Sequence, residues 1–142
     1  GVEPFLLSSS LQAVMAQRLA RVLCTCKQPA ESTDPKLLKL IGLTREEADG
    51  KIMDAVGCPK CNGLGYKGRQ AIFEFMMMTN DIREMAFARA PVSEIRQAAI
   101  RDGMRDLLGD GRMKVLKGIT TPSEVSKFAQ AETLLGDNID VE

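Results

Sequence analysis

The stretch Cys58–Glu74, CPKCNGLGYKGRQAIFE, decides how the rest of the chain is read. Cys58 and Cys61 stand in a CxxC spacing that lets two thiolates reach one tetrahedral metal, with a short turn between them to keep backbone strain low. Zinc is the natural guest. Gly63, Gly65 and Gly68 follow, and a backbone free to take positive φ turns sharply beside a metal without steric penalty. From Arg69 the pattern becomes alternating: Ala71, Phe73, Phe75 and Met77 face one way, Ile72, Glu74 and Met76 the other. That is the period of a strand, so the knuckle feeds a sheet. Arg69 and Glu74 read first as packing and an ion pair, second as an intersubunit contact. The run Met76–Met78 reads as core filling ahead of soft-metal binding or a partner groove.

Length and charge narrow the class. A chain of 142 residues is one ordinary domain, or a small domain with a piece of a neighbour, and can bury a core. The absence of an initiator methionine at Gly1 reads first as an excised fragment, with processing or an engineered start as alternatives. With 19 basic and 19 acidic side chains the formal charge is zero, which gives no global electrostatic drive toward nucleic acid or an anionic membrane. No histidine is present, so the commonest general base and the commonest nitrogen ligand are missing and any metal site rests on cysteine.

The N-terminal segment GVEPFLLSSSLQAVMAQRLARVL is not a secretory signal: Glu3, Gln12, Gln17, Arg18 and Arg21 interrupt it, and no basic leader precedes it. Nothing approaches the roughly 20 apolar residues of a membrane span. Leu11, Val14, Met15, Leu19, Val22 and Leu23 recur at helical spacing, and Ser9 or Ser10 is placed as an N-cap; the expectation is an amphipathic helix that ends by delivering Cys24 and Cys26.

Lys27–Gly57 is an excursion of short elements. Asp34 and Pro35 open a brief helix that Gly42 closes, Thr44 and Glu47 form a capping-box pattern, and Lys51–Val56 reads as a short strand pairing with the strand after the knuckle. The excursion is long enough to bring Cys24 and Cys26 back to Cys58 and Cys61. Structural zinc on these four is the favoured reading, with free buried thiols or an oxidised pair as alternatives. A disulfide fits a cytosolic chain poorly, and a catalytic thiol lacks a base.

Beyond Met78 the chain reads as helices. Thr79 or Asn80 caps one carrying Ile82, Met85 and Ala86; Pro91 breaks it, and Ser93 starts the next, which runs to Gly103. A third carries Met104, Leu107, Leu108, Val115 and Leu116 and is weakened by Gly109 and Gly111. The last has Thr121 at N-cap, Pro122 at N1 and Glu124 at N3, with Val125, Phe128 and Ala129 as its apolar face. No internal repeat or low-complexity tract is found.

Four blocks in order carry a resemblance: AQRLARVLC at Ala16–Cys24, GCPKCNGLGYKGRQAIFE at Gly57–Glu74, DGMRDLLGDGRMKVLKG at Asp102–Gly118 and ITTPSEV at Ile119–Val125. The chain resembles the C-terminal region of the secretion ATPases of bacterial type II secretion and type IV pilus assembly. The resemblance implies a tetracysteine zinc insert on a C-terminal domain, with Cys24, Cys26, Cys58 and Cys61 as ligands. It further implies a hexameric parent of RecA-like subunits that binds ATP and magnesium upstream of this stretch. The expected partners are the other subunits and an inner-membrane platform protein, and the expected location is cytoplasmic, peripheral at the inner membrane. The cysteine insert favours the secretion or pilus-assembly branch over the related retraction motors.

Two departures matter. The first pair is Cys24-Thr25-Cys26, a CxC where relatives carry CxxC, and its shorter bite is expected to be unable to build the same amide-to-sulfur bonds. No GxxxxGK[ST] occurs, so nothing here cradles β and γ phosphates, and the fragment alone is expected neither to hydrolyse nor tightly to bind ATP. Two rivals come from other classes. CPKCNGLG matches one CxxCxGxG unit of Hsp40-type cochaperones, which use several. A zinc-ribbon nucleic-acid binder would want a basic stripe with stacking aromatics, whereas Tyr66 is alone near the knuckle and tryptophan is absent.

The resulting expectation is a mainly helical α+β chain with a small antiparallel sheet, a tetracysteine zinc knuckle and a C-terminal helical bundle. Residues 1–23 would close an upstream motor domain as a helix, 24–68 form the knuckle subdomain, 69–136 a strand plus helices, and 137–142 a flexible acidic tail.

Overall fold

The computed structural model describes residues 1–136; the tail expected at 137–142 lies outside them. Chain order is α1 (Pro4–Ser10), β1 (Ala13–Leu23), β2 (Gln28–Pro29), α2 (Pro35–Ile41), α3 (Arg45–Ala48), β3 (Met53–Asp54), a single 3-10 turn (Pro59–Cys61), β4 (Tyr66–Met77), α4 (Asn80–Phe87), α5 (Val92–Arg101), α6 (Leu107–Leu116) and α7 (Pro122–Gly136). This is an α+β chain with seven α-helices and small sheets among the described residues. β1 pairs with β4, and β2 pairs antiparallel with β3 in the register Gln28 to Asp54 and Pro29 to Met53.

The helix expected over Leu11–Leu23 is instead the strand β1. Ala, Leu, Arg and Gln give this stretch good intrinsic helicity, but pairing with the long strand β4 satisfies its backbone and overrides a weak local preference. Ser9 therefore caps nothing at an N-terminus; its hydroxyl donates to the Phe5 carbonyl at 2.7 Å in the last turn of α1. The short strand at Met53–Asp54 exists, yet its partner is β2 and not the strand after the knuckle.

Other local signals are realised as read. Asp34 accepts from the Lys36 amide at 2.8 Å to start α2, and Gly42 ends it at φ 72°. Thr44 and Glu47 form a reciprocal capping box at 3.2 and 2.9 Å. Thr79 caps α4. On β4, Ile72 is fully buried, and Glu74 and Met76 are part-buried on the same face; Phe73, Phe75 and Met77 are exposed. Glu74 pairs with Arg96 of α5 at 3.7 Å, the ion pair expected of it.

Two compact units divide the chain. One comprises Gly1–Gln17 and Phe73–Asp106, and its core is Met78, Ile82, Ala98 and Ala99, with Met76, Met85 and Ile95 packed against them. Met76 and Met78 thus fill a core, as expected, while Met77 points outward. The other comprises Arg18–Ile72 and the chain from Leu107, with a core of Ala20, Leu38, Ile41, Leu43, Ile52, Ile72, Val115 and Val125 among others. Here Gly111, expected to weaken α6, allows α7 to approach: a Cβ at Gly111 would lie 2.6 Å from Val125 Cγ1.

Candidate metal centre

The four cysteines converge inside the second unit. β1 ends at Leu23, and the chain turns at once through Cys24-Thr25-Cys26, a turn held by the Lys27 amide on the Cys24 carbonyl at 3.0 Å. The excursion through α2 and α3 returns by β3 to Gly57. Cys58 then starts the 3-10 turn, whose end, Asn62, adopts a left-handed conformation at φ 52°.

Glycine is required here by space as well as by dihedral. Gly65 sits at φ 75°, and a Cβ there would meet Ala55 Cβ at 2.6 Å. The amide of Cys24 donates to the Gly65 carbonyl at 2.9 Å, which ties the first cysteine pair to the backbone just beyond the second.

All four sulfurs lie within 4.8 Å of one another. Cys58 to Cys61 is 3.8 Å, Cys24 to Cys58 3.9 Å and Cys26 to Cys61 3.9 Å. A tetrahedral site with metal–sulfur bonds of about 2.3 Å has sulfur–sulfur edges of about 3.8 Å, which these three separations match, so the four thiols could hold a zinc ion. Cys24 and Cys61 are buried and Cys26 and Cys58 partly exposed.

Backbone amides supply the electrostatics. The Cys58 amide donates to Cys61 Sγ at 3.1 Å and the Gly65 amide to the same sulfur at 3.2 Å. Burial pushes the Cys61 thiol up, but these two donors outweigh it and hold it below the ordinary thiol value. The Cys26 amide does the same for Cys24, bringing it to about 6. Burial pushes Cys26 up to about 11, partly countered by the Gly57 amide. The amide-to-sulfur bonds at 3.1 and 3.2 Å both fall on Cys61 of the CxxC pair. Cys24 and Cys61 are thus held toward the thiolate, the form that binds a metal, and Cys26 away from it.

A second polar cluster adjoins the cage, and sequence reading treated its members separately. The Arg21 guanidinium lies 4.1 Å from the Tyr66 ring centroid and donates to Glu124 Oε1 at 2.8 Å. Glu124, read only as an N3 cap of α7, is buried and also accepts from the Arg21 amide at 3.1 Å and from Lys127. Tyr66 Oη and Thr121 Oγ1 are 2.8 Å apart. The one signal in the sequence was Glu124 itself, an acid beside the apolar face that begins with Val125.

An α+β unit that brings two separated cysteine pairs together within 4.8 Å is a tetracysteine module. The family model described as type II/IV secretion system protein matches residues 1–127, and the chain belongs to that family. It is 41% identical over 126 residues to the type IV pilus assembly ATPase PilB of Thermus thermophilus, covering 88% of this chain and 14% of the relative. It is 42% identical over 127 residues to the PilB of Myxococcus xanthus, covering 88% and 22%. With the type II secretion system protein E of Pectobacterium carotovorum it shares 42% identity over 135 residues, covering 93% and 26%. The chain thus spans between 14% and 26% of the length of these relatives. No helix among the described residues is long and apolar enough to cross a membrane.

Proposed function

We propose that this chain is the C-terminal module of a hexameric ATPase that powers type II secretion or type IV pilus assembly, and that it serves a mechanical role. The observation that carries this reading is the four-sulfur cage, in a chain that belongs to the secretion family. Zinc bound by Cys24, Cys26, Cys58 and Cys61 would fix the start of β4 against the end of β1. Such a closed site supplies rigidity and performs no chemistry.

ATP and magnesium belong to the parent polypeptide, outside this stretch. In the parent, residues 1–23 close the motor domain and the cysteine region and following helices form the lever. That lever packs against neighbouring subunits and passes nucleotide-driven movement to an inner-membrane platform protein, with the whole assembly cytoplasmic and peripheral. The test is genetic complementation with Cys58→Ser or Cys61→Ser in the full-length protein. Secretion or piliation should fall at least ~10-fold while a nucleotide analogue still binds, as expected when a structural metal site is lost and a separate site is spared. Normal transport by both variants would overturn the reading.

A further inference from the structure

The turn between α6 and α7, Gly118–Glu124, is laced almost residue by residue to the two sides of the cysteine cage. On the first side, Lys27 Nζ donates to the Gly118 carbonyl, the Leu23 amide donates to the Ile119 carbonyl at 2.8 Å, and Thr120 Oγ1 donates to the Arg21 carbonyl at 2.8 Å. Arg21 then grips Glu124 through both its amide and its guanidinium. On the second side, Tyr66, five residues beyond Cys61, holds Thr121. The anchors Arg21, Leu23 and Lys27 flank Cys24 and Cys26, so each half of the cage owns part of the strap.

Thr120, Thr121 and Glu124 are 1%, 6% and 4% exposed. Thr121 Oγ1 also lies 3.0 Å from Ser123 Oγ and Glu124 accepts three bonds, so the strap is a network of buried polar groups whose release from Arg21 and Tyr66 costs several hydrogen bonds together. Its correct closure requires the Arg21–Lys27 side and the Tyr66 side to be at a fixed separation. The two sides already meet through Arg21 on the Tyr66 ring and the Cys24 amide on the Gly65 carbonyl, and a metal held by the adjoining cysteine pairs would stiffen that junction.

We infer that metal occupancy of the cage governs the order of the first turn of α7, through Tyr66 on one side and Arg21 on the other. The inference rests on the zinc reading and goes beyond it: the centre is not merely a local staple but acts on a helix that begins at Pro122, far along the chain from the last cysteine, Cys61. Arg21 and Tyr66 are positioning residues in this scheme, since neither is a ligand. Because coupling is reciprocal, a strap that closes more readily with metal bound must also raise metal affinity when closed.

The experiment is amide hydrogen exchange on the full-length protein, first loaded with zinc, then stripped by chelation, then reloaded, with zinc content measured at each stage. The Glu124 and Val125 amides, both bonded to the Thr121 carbonyl, report the first turn of α7. Stripping should speed their exchange at least ~10-fold and reloading should restore it, while Arg83 of α4 and its C-cap Ala88 change less than ~2-fold. In Tyr66→Phe, which keeps the ring under Arg21 and loses the hydroxyl, the zinc effect on Glu124 and Val125 should shrink to less than ~3-fold with one zinc still bound. A protein that takes up no zinc overturns the metal reading and this inference together. One that binds zinc overturns the inference alone if Glu124 and Val125 exchange at the same rate with and without metal. So does a zinc effect that is unchanged in Tyr66→Phe, or exchange that rises equally at Gly42 and Leu43 beside α2.

Discussion

Glu124 on α7 accepts both the backbone amide and the guanidinium of Arg21 on β1, at 3.1 and 2.8 Å, across 103 residues of sequence. The carboxylate is 5% exposed, the guanidinium 45%. Burial alone would raise the Glu124 pKa, but the bonds from Arg21 and Lys127 outweigh it and hold the group at about 2. The Arg21 guanidinium is correspondingly held above its ordinary value by Glu124.

A folded-state pKa below the unfolded value of about 4.3 means that Glu124 contributes stability above that value and loses it as pH falls toward 2. After allowance for the half-exposed guanidinium the contribution is about 2 kcal/mol. Glu124→Gln should therefore be less stable than the parent near neutral pH, with the difference shrinking between about pH 5 and pH 2. Denaturant titrations at several pH values measure it; parallel curves across that range would remove the carboxylate from the account.

Gly111 of α6 faces Val125 of α7 so closely that a Cβ there would lie 2.6 Å from Val125 Cγ1. Gly111→Ala should destabilise the protein by about 1–3 kcal/mol, despite the ~1 kcal/mol that alanine ordinarily gains over glycine inside a helix. The added methyl has no room against Val125. Combining it with Val125→Ala should restore part of the loss, and a double-mutant cycle by chemical denaturation would show the two changes to be coupled; strict additivity would contradict close packing there.

Gly65 and Gly68 share a left-handed backbone, at φ 75° and 83°, yet differ in surroundings. Space is open at Gly68, whereas Ala55 blocks a side chain at Gly65. Gly68→Ala should cost about 1–2 kcal/mol through backbone strain alone. Gly65→Ala should do that and displace the amide that donates to Cys61, lowering zinc affinity at least ~10-fold. A competition titration with a chromogenic chelator separates the two; equal affinities in both variants would show that Ala55 and the Gly65 amide do not shape the site.

Local chemistry was the legible part of the fold. Asp34, Pro35 and Gly42 bound α2, Thr44 and Glu47 box α3, and the alternation after Arg69 marks β4 because each signal needs only neighbours in sequence. The four cysteines were legible as a set because thiols in short pairs carry chemistry wherever they meet. What escaped depended on distant partners. VMAQRLARVL is a helix by propensity and a strand because β4 lies beside it. Met53 and Asp54 are too short a strand to reveal that Gln28 and Pro29 are their partners. Glu124 looked like a cap because its true partner, Arg21, is 103 residues away.

Metal content tests the central claim most directly. The purified full-length protein should carry about one zinc per chain, as a closed tetrathiolate site does, with Cys24, Cys26, Cys58 and Cys61 shielded from alkylation until a chelator is added. Cys26→Ser should lower both the zinc content and the shielding, since the CxC pair supplies two of the four ligands. A folded, metal-free protein whose four thiols react freely would contradict the account.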